Sequence, residues 1–449
     1  MPRTSFCHIK ILRKIYFTLV LFLAAQLYAS PLQDSTHDKQ FDLHFQQTVV
    51  TQYHPPFNAA YSGTNSLGTA TDIQTSLTTT LFLGARLWQG AEIYFDPELA
   101  GGAGLSGAHG IAGFTNGETF RIGDPKPEGY IARLYIKQTF ALGDEYEHRD
   151  EDQNQLAGKQ PQKYFALTFG KFSMEDFFDD NKYTHDPRTQ FLNWGLMSNG
   201  AWDYPANTRG YTWGFVAEYV NPDWALRFSG VLVPVDANGD IMDLRIARSN
   251  SETIELQKNF TLGGRKGSAR LLGFFTQADM GNYADAVAMA PLGNADITQA
   301  RELGRTKYGA GLDIEQELAD NLGLFFRSSW NDGTNETWMF TEIDETASAG
   351  VLLNGASWGR SDDNLGIAAV VDQISKDHQA YLNDGGYGFM LGDGKLTNEA
   401  PEAIAEAYYS YRLHDDVWLS ADYQLVLNPG YNADRGPVHV FALRAHTEF

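Results

Sequence analysis

Apolar and polar residues alternate with a period of two through much of this chain, and the alternation runs to its last residue. In VHVFALRAHTEF, Phe449, Thr447, Ala445, Leu443 and Phe441 form a mostly apolar set, while Glu448, His446, Arg444 and Ala442 are largely polar. A period of two places the sets on opposite faces of a strand. Segments of this kind predict sixteen strands, at 43–53, 72–87, 90–99, 130–142, 162–173, 210–220, 223–233, 252–261, 268–278, 305–318, 321–330, 341–354, 363–374, 402–413, 416–427 and 437–449. In 130–140, Ala132, Leu134, Ile136 and Phe140 oppose Arg133, Tyr135, Lys137 and Thr139. Tyr211, Trp213, Phe215, Ala217 and Tyr219 make an apolar face with aromatic ends. Ala403, Ala405, Ala407, Tyr409 and Tyr411 oppose Glu402, Glu406 and Arg412. A soluble barrel would turn the apolar sets inward. Here the other sets carry charges of both signs, so they must line water and the apolar sets must face lipid. The expectation is an all-β, antiparallel transmembrane β-barrel of about 16 strands, closed by the segment that ends at Phe449.

The joins alternate in length. WQG (88–90), NPD (221–223), LGGRKG (262–267), ADN (319–321) and HDD (414–416) are tight, whereas 54–71, 100–129, 174–209, 234–251, 279–304 and 375–401 are long. One rim of turns and one of loops is the plan of outer-membrane barrels, with the turns on the periplasmic side. Two joins break the rule: 143–162 is long where a turn belongs, and 331–340 is short for a loop. The segments 100–129 and 174–209 are the candidates for loops folded into the barrel.

The N-terminus points the same way. Arg3, Lys10, Arg13 and Lys14 precede the apolar run FTLVLFLAA (17–25), and small residues follow near Ala29. That is the layout of a secretory leader, with a run too short to span as a helix. The expected division is a cleaved leader (1–29), a short periplasmic segment (30–42) and the barrel (43–449). Cys7, the only cysteine, falls in the leader, which leaves the mature chain without thiol or disulfide chemistry. Loss of the leader's four basic residues takes the net charge from −22 to −26, which disfavours a nucleic-acid partner.

Several stretches resemble the carbohydrate-selective porins of the OprB type. They are QTVVTQYHPPFNAAYSGTNSL (47–67), LFLGARLWQGAEIYFDPELAGGAGLSGAHGIAGFTNGE (81–118), YIARLYIKQTF (130–140), TWMFTEIDE (337–345), WGRSDDN (358–364), LGDG (391–394), EAIAEAYYSY (402–411) and NPGYNADRGPVHVFALRAHTEF (428–449). The resemblance implies a sixteen-stranded barrel in the outer membrane of a Gram-negative bacterium. It further implies inward-folded outer loops, a constriction of Arg and acidic side chains, and passive diffusion of small neutral sugars such as glucose. Outer-membrane lipid and the assembly machinery that reads a terminal Phe449 are the other implied partners; no cofactor or metal is. Face parity and motif together nominate Arg133, Lys137, Arg327, Glu402, Glu406, Arg412 and Arg444 for the path. The motif-bearing rims add Glu98, Glu118, Asp344, Arg360, Asp363 and Arg435. An ion-pair ladder that merely stiffens the wall would use the same residue types.

Three short motifs carry no chemistry. Gly102–Gly107 matches GxGxxG, but GAHGIAGFTNG follows where a helix must open to hold a pyrophosphate. Gly355–Gly359 matches GxSxG without the strand–turn–helix of a nucleophile elbow. Asp236, Asn238 and Asp240 lack the bidentate Glu of a calcium loop. The acid-rich segment Glu175–Asp180 could hold divalent cations loosely at the outer surface. Two other readings stay open: a general porin without a sugar site, and a barrel enzyme, which would need a Ser/His/acid cluster at its outer edge.

Overall fold

A computed structural model describes residues 38–119, 126–290 and 293–449; the expected leader lies outside them. Sixteen strands among the described residues close a barrel in which every neighbouring pair is antiparallel. In chain order they are β1 (Phe41–His54), β2 (Asp72–Trp88), β3 (Ala91–Gly102), β4 (Glu128–Ala141), β7 (Tyr164–Phe172), β8 (Thr212–Val220), β9 (Trp224–Val231), β10 (Asn250–Leu262), β11 (Arg265–Gly281), β12 (Arg301–Ala319), β13 (Leu322–Asn331), β14 (Glu345–Asn354), β15 (Asn364–Gln373), β16 (Glu402–His414), β17 (Val417–Leu427) and β18 (Val438–Glu448). A small hairpin, β5 (Tyr146–Arg149) with β6 (Gly158–Pro161), stands outside the barrel sheet.

Closure joins β1 to β18 in the register Gln46↔Glu448 to Tyr53↔Phe441. Phe449 completes the seam: its backbone exchanges hydrogen bonds with Phe45 (3.0 and 2.8 Å), and the two rings stack at 5.1 Å. Tight turns hold the rim where β1 begins. At Gly263–Gly264, φ of 60° and 81° makes the two-residue connection that suits the twist of β10 and β11.

Burial runs opposite to that of a soluble protein. Leu443, Ile73, Leu271 and Phe169 are exposed outside, while Lys307, Asp313, Arg327 and Arg444 are at most 2% exposed inside. Trp88, Trp224 and Tyr411 ring the turn end, and Tyr53, Trp213, Tyr308 and Trp330 lie toward the loop end, as interfacial girdles do. Among the described residues, three short α-helices sit in the long loops: α1 (Trp194–Met197), α2 (Tyr283–Met289) and α3 (Lys376–Asn383). Each is capped by a side chain, Asn193, Asn282 or Ser375, that accepts from a first-turn N–H. Tyr283 of α2 stacks on His378 of α3 at 4.2 Å, over the barrel's outer end.

Three details depart from the expected pattern. Ala132 is fully buried, because a bulge pairs Asp96 with Arg133 but Pro97 with Ile131, so Ile131 takes the outward place. Tyr211 precedes the ladder of β8 and turns inward, 5% exposed, its hydroxyl donating to Glu98 at 3.2 Å. The strand expected at 341–354 starts only at Glu345. Thr341–Asp344 are buried, and Glu342 accepts the N–H groups of Met390 (2.8 Å) and Leu391 (2.7 Å) instead of joining a ladder.

Candidate functional site

The loops joining β3 to β4 and β7 to β8 enter the barrel. Irregular backbone enclosed in this way must find partners for its N–H and C=O groups. The barrel wall supplies them. Glu402 accepts from Gly113 (2.8 Å), Ala112 (3.1 Å) and Gly430 (2.6 Å), and Glu406 accepts from Leu192 (2.6 Å) and Asn193 (3.0 Å). Arg444 donates to the carbonyls of Gln190 (2.6 Å), Pro187 (2.7 Å) and Thr189 (3.1 Å). Arg327 donates to Leu196 O (2.8 Å), Asp179 O (2.9 Å) and Asp179 Oδ1 (3.1 Å). Four of the nominated charges therefore hold loop backbone, and none of them borders the open lumen.

The open volume is displaced to the opposite wall. A cavity of about 630 Å³ is bordered by strands β1–β4 and β7–β9, by the 173–211 loop, and by the segment 149–155 at the turn end. Arg133, Lys137 and Glu118 line it. A guanidinium absent from the nominated set, Arg188, crosses it. Its Nε donates to Glu118 (3.0 Å), its Nη2 to Glu98 (3.1 Å) and its Nη1 to Gln46 (2.5 Å). Glu98 also accepts from the hydroxyls of Thr80 and Tyr130. Arg133 forks onto Asp176 (2.5 and 2.7 Å), approaches Asp96 (3.5 Å) and lies over the ring of Tyr211 at 5.4 Å. Lys137 pairs with Glu218 (3.0 Å), which faces Arg227 (3.5 Å); Arg227 in turn meets Glu255 at 3.0 Å. Signs alternate along this wall. Tyr94, Tyr135, Tyr164, Phe177, Trp194 and Phe340 put aromatic rings beside the charges.

The remaining nominated residues lie elsewhere. Asp344 is buried with Lys307 (3.7 Å) and His378 (3.1 Å). Burial raises its pKa, but the His378 bond and the Lys307 charge outweigh that and hold it at about 2. Arg435 braces the 55–71 loop at the outer rim through the carbonyls of Tyr61 and Leu67. Arg360, Asp363 and Arg412 form a cluster in the turns: Arg360 pairs with Asp363 at 2.5 Å, and the Arg412 N–H donates to Asp363 at 3.0 Å.

Glu175, on the 173–211 loop, also borders the cavity. Burial is the main cause that pushes its pKa up to about 7, with Asp179 adding to it against His185 and Arg327. The carboxyl is therefore largely neutral at pH 6 and largely ionised at pH 8. Cation-over-chloride selectivity, read as reversal potential in a salt gradient, is expected to rise across that interval, and Glu175→Gln should flatten the rise. Glu175 Oε1 has no hydrogen-bond partner among the described residues, so the amide disturbs little.

A barrel with lipid outside, charges inside and loops tucked into its bore has solved counterparts. OprB of Pseudomonas putida matches with a TM-score of 0.67 at 15% identity, over 91% of this chain and 94% of that one. The outer membrane channel DcaP of Acinetobacter baumannii matches with a TM-score of 0.51 at 10% identity, over 91% and 97%. At these identities the likeness establishes the fold alone. No curated protein sequence matches. The family assignment comes from a model of carbohydrate-selective porins that matches residues 64–449, all but the first 63 residues. The chain thus belongs to the OprB family of carbohydrate-selective porins, barrels of the Gram-negative outer membrane.

Proposed function

We propose that this protein is a passive outer-membrane channel for small neutral sugars, glucose and its relatives, selected in the lumen crossed by Arg188. The observation that carries the reading is the bore itself: charges of alternating sign next to aromatic rings, around a cavity of about 630 Å³. A sugar hydroxyl donates and accepts, so guanidinium and carboxylate groups together replace its hydration water. The rings offer faces to the apolar side of a pyranose. The central charges are paired, Arg188 with Glu98 and Glu118, Arg133 with Asp176 and Lys137 with Glu218, which moderates the net attraction for either ion and keeps sugar binding weak enough for release. The cavity falls within the roughly 300–1,000 Å³ usual for small-molecule sites.

On this reading Arg133, Lys137, Glu98 and Glu118 belong to the path with Arg188, whereas Arg327, Glu402, Glu406 and Arg444 keep the loops in place. The test is single-channel conductance in a planar bilayer, with glucose, a sugar acid and an amino acid added in turn. Saturable block by glucose and not by the amino acid supports the proposal. Stable channels insensitive to every sugar would make it a general porin.

The enzyme alternative has a Thr/His/acid arrangement in its favour and a burial argument against it. Thr48 Oγ1 and His446 Nδ1 are 2.9 Å apart, and His446 Nε2 lies 3.3 Å from Glu448. Thr48 and His446 are each 1% exposed, and none of the three borders the cavity, so a substrate has no approach to the hydroxyl.

The same proposal has the chain exported by its leader and inserted through recognition of Phe449. Deleting Phe449 is expected to cut outer-membrane assembly in cells severely. Refolding in detergent should change little, because the β1–β18 ladder down to Gln46↔Glu448 is retained. The ratio of assembled to periplasmic protein measures the first, and heat-modifiable gel mobility the second.

A further inference from the structure

We propose that the connection between β4 and β7 is a fixed filter at the periplasmic exit, a second carbohydrate-contacting point beyond the Arg188 crossing; it rests on the sugar-channel reading above. Where neighbouring turns such as 89–90 and 263–264 span two residues, this join spans 142–163 and folds back. From the β5–β6 hairpin a tight turn rises into the bore. Asp152 and Gln155 exchange backbone hydrogen bonds of 3.0 Å around Asn154, whose φ is 55°.

The turn reaches deep. Asn154 Nδ2 donates to Asp96 Oδ2 at 2.9 Å, and Asp96 stands five residues up β3 from Ala91, roughly 17 Å along the strand. On its other side, Gln153 Nε2 donates to Glu448 of β18 at 3.1 Å. Asp152, Gln153, Asn154 and Gln155 all border the cavity. Three neutral amides therefore line its exit beside the Asp152 carboxylate, offering both donors and acceptors.

The turn is also pinned. The N–H of Lys39 donates to Ala157 O (3.0 Å), as does Arg86 Nη2 (3.2 Å), and the N–H of Lys159 donates to Asp38 (2.9 Å). Lys39 pairs with Glu151. Leu156 is 4% exposed and docks against the inner wall beside Gly84 and Tyr94. A join hanging free below the barrel would bury neither Leu156 nor Ala157.

Deleting residues 144–161 leaves Gly143–Gln162 as a two-residue turn between Leu142 and Lys163, which are already paired by a 2.9 Å backbone bond. Conductance is expected to rise about two-fold or more, and liposome swelling should show entry of linear oligosaccharides that the intact protein excludes. As a second measurement, Gln153→Cys in the mature chain is treated with a charged methanethiosulfonate from either side of the bilayer. The current should fall, faster from the periplasmic side. A deletion variant with unchanged conductance and size limit overturns the filter. Should the deletion fail to fold, an unchanged current after labelling Gln153→Cys does the same. Intact protein that forms no channel overturns the sugar-channel reading and the filter with it, so the two failures are told apart.

Discussion

Replacing Arg188 with alanine is expected to abolish most of the saturable sugar block and to shift the channel toward cations several-fold, with the barrel still folded. Among the described residues, Arg188 is the one positive partner that Glu98 and Glu118 share across the bore. Removing it leaves two enclosed carboxylates facing the path. A unit charge at 4 Å interacts by about 4 kcal/mol at an effective dielectric constant near 20, enough to repel chloride strongly. Loss of charge-assisted donors to a sugar hydroxyl, about 1.5–3 kcal/mol each, weakens binding by roughly 10- to 100-fold. Arg188→Lys separates the two effects. It retains the charge, and therefore the ion selectivity, but cannot reach Glu118, Glu98 and Gln46 together as the planar fork does. Sugar titration of single-channel current, with reversal potentials in a salt gradient, reads both. If Arg188→Ala keeps the wild-type glucose block, the sugar contact lies elsewhere in the cavity.

The strands and their faces were legible because they depend on a local period. Phe441, Leu443 and Ala445 face outward and Arg444 and His446 inward, as the alternation of the last segment requires, while Thr447 at the strand's end is buried and donates to Asp416 O at 2.7 Å. What breaks the period is not local. Nothing near Ala132 in sequence announces that Pro97, across the sheet, forces a bulge there. The crossing residue was hidden for the same reason: Glu118, Glu98 and Gln46 stand 70, 90 and 142 positions from Arg188. Inward parity on a strand identifies a lumen charge such as Glu402 but does not say whether water or loop backbone takes it up. In Glu218 and Arg227 parity offered a signal that went unused, since both lie on the polar faces of β8 and β9. The excess length of 143–162 was plain, whereas its fold into the bore depends on partners at Asp38, Arg86 and Asp96.

The second large effect is expected where a wall residue controls the loop that carries the site. Arg444→Ala should loosen the 173–211 loop, producing noisy, higher conductance and weakened sugar block, although residue 444 itself borders no part of the cavity. Its guanidinium binds the carbonyls of Pro187, Thr189 and Gln190, the residues that flank Arg188, and Ser420 Oγ at 3.2 Å. Each carbonyl left without a partner in an enclosed site costs about 1–3 kcal/mol. Water entering from the lumen offsets part of that by displacing the loop, so the chain keeps its barrel and loses the geometry of its crossing. Limited proteolysis distinguishes this from general unfolding: cleavage should appear within 182–192 while heat-modifiable gel mobility persists. Arg444→Lys should recover little, because an ammonium cannot reproduce the planar fork that spans three carbonyls. Resistance of the loop to protease in Arg444→Ala would instead assign its position to Glu406 and Arg327, which hold Leu192, Asn193 and Leu196 from the neighbouring walls.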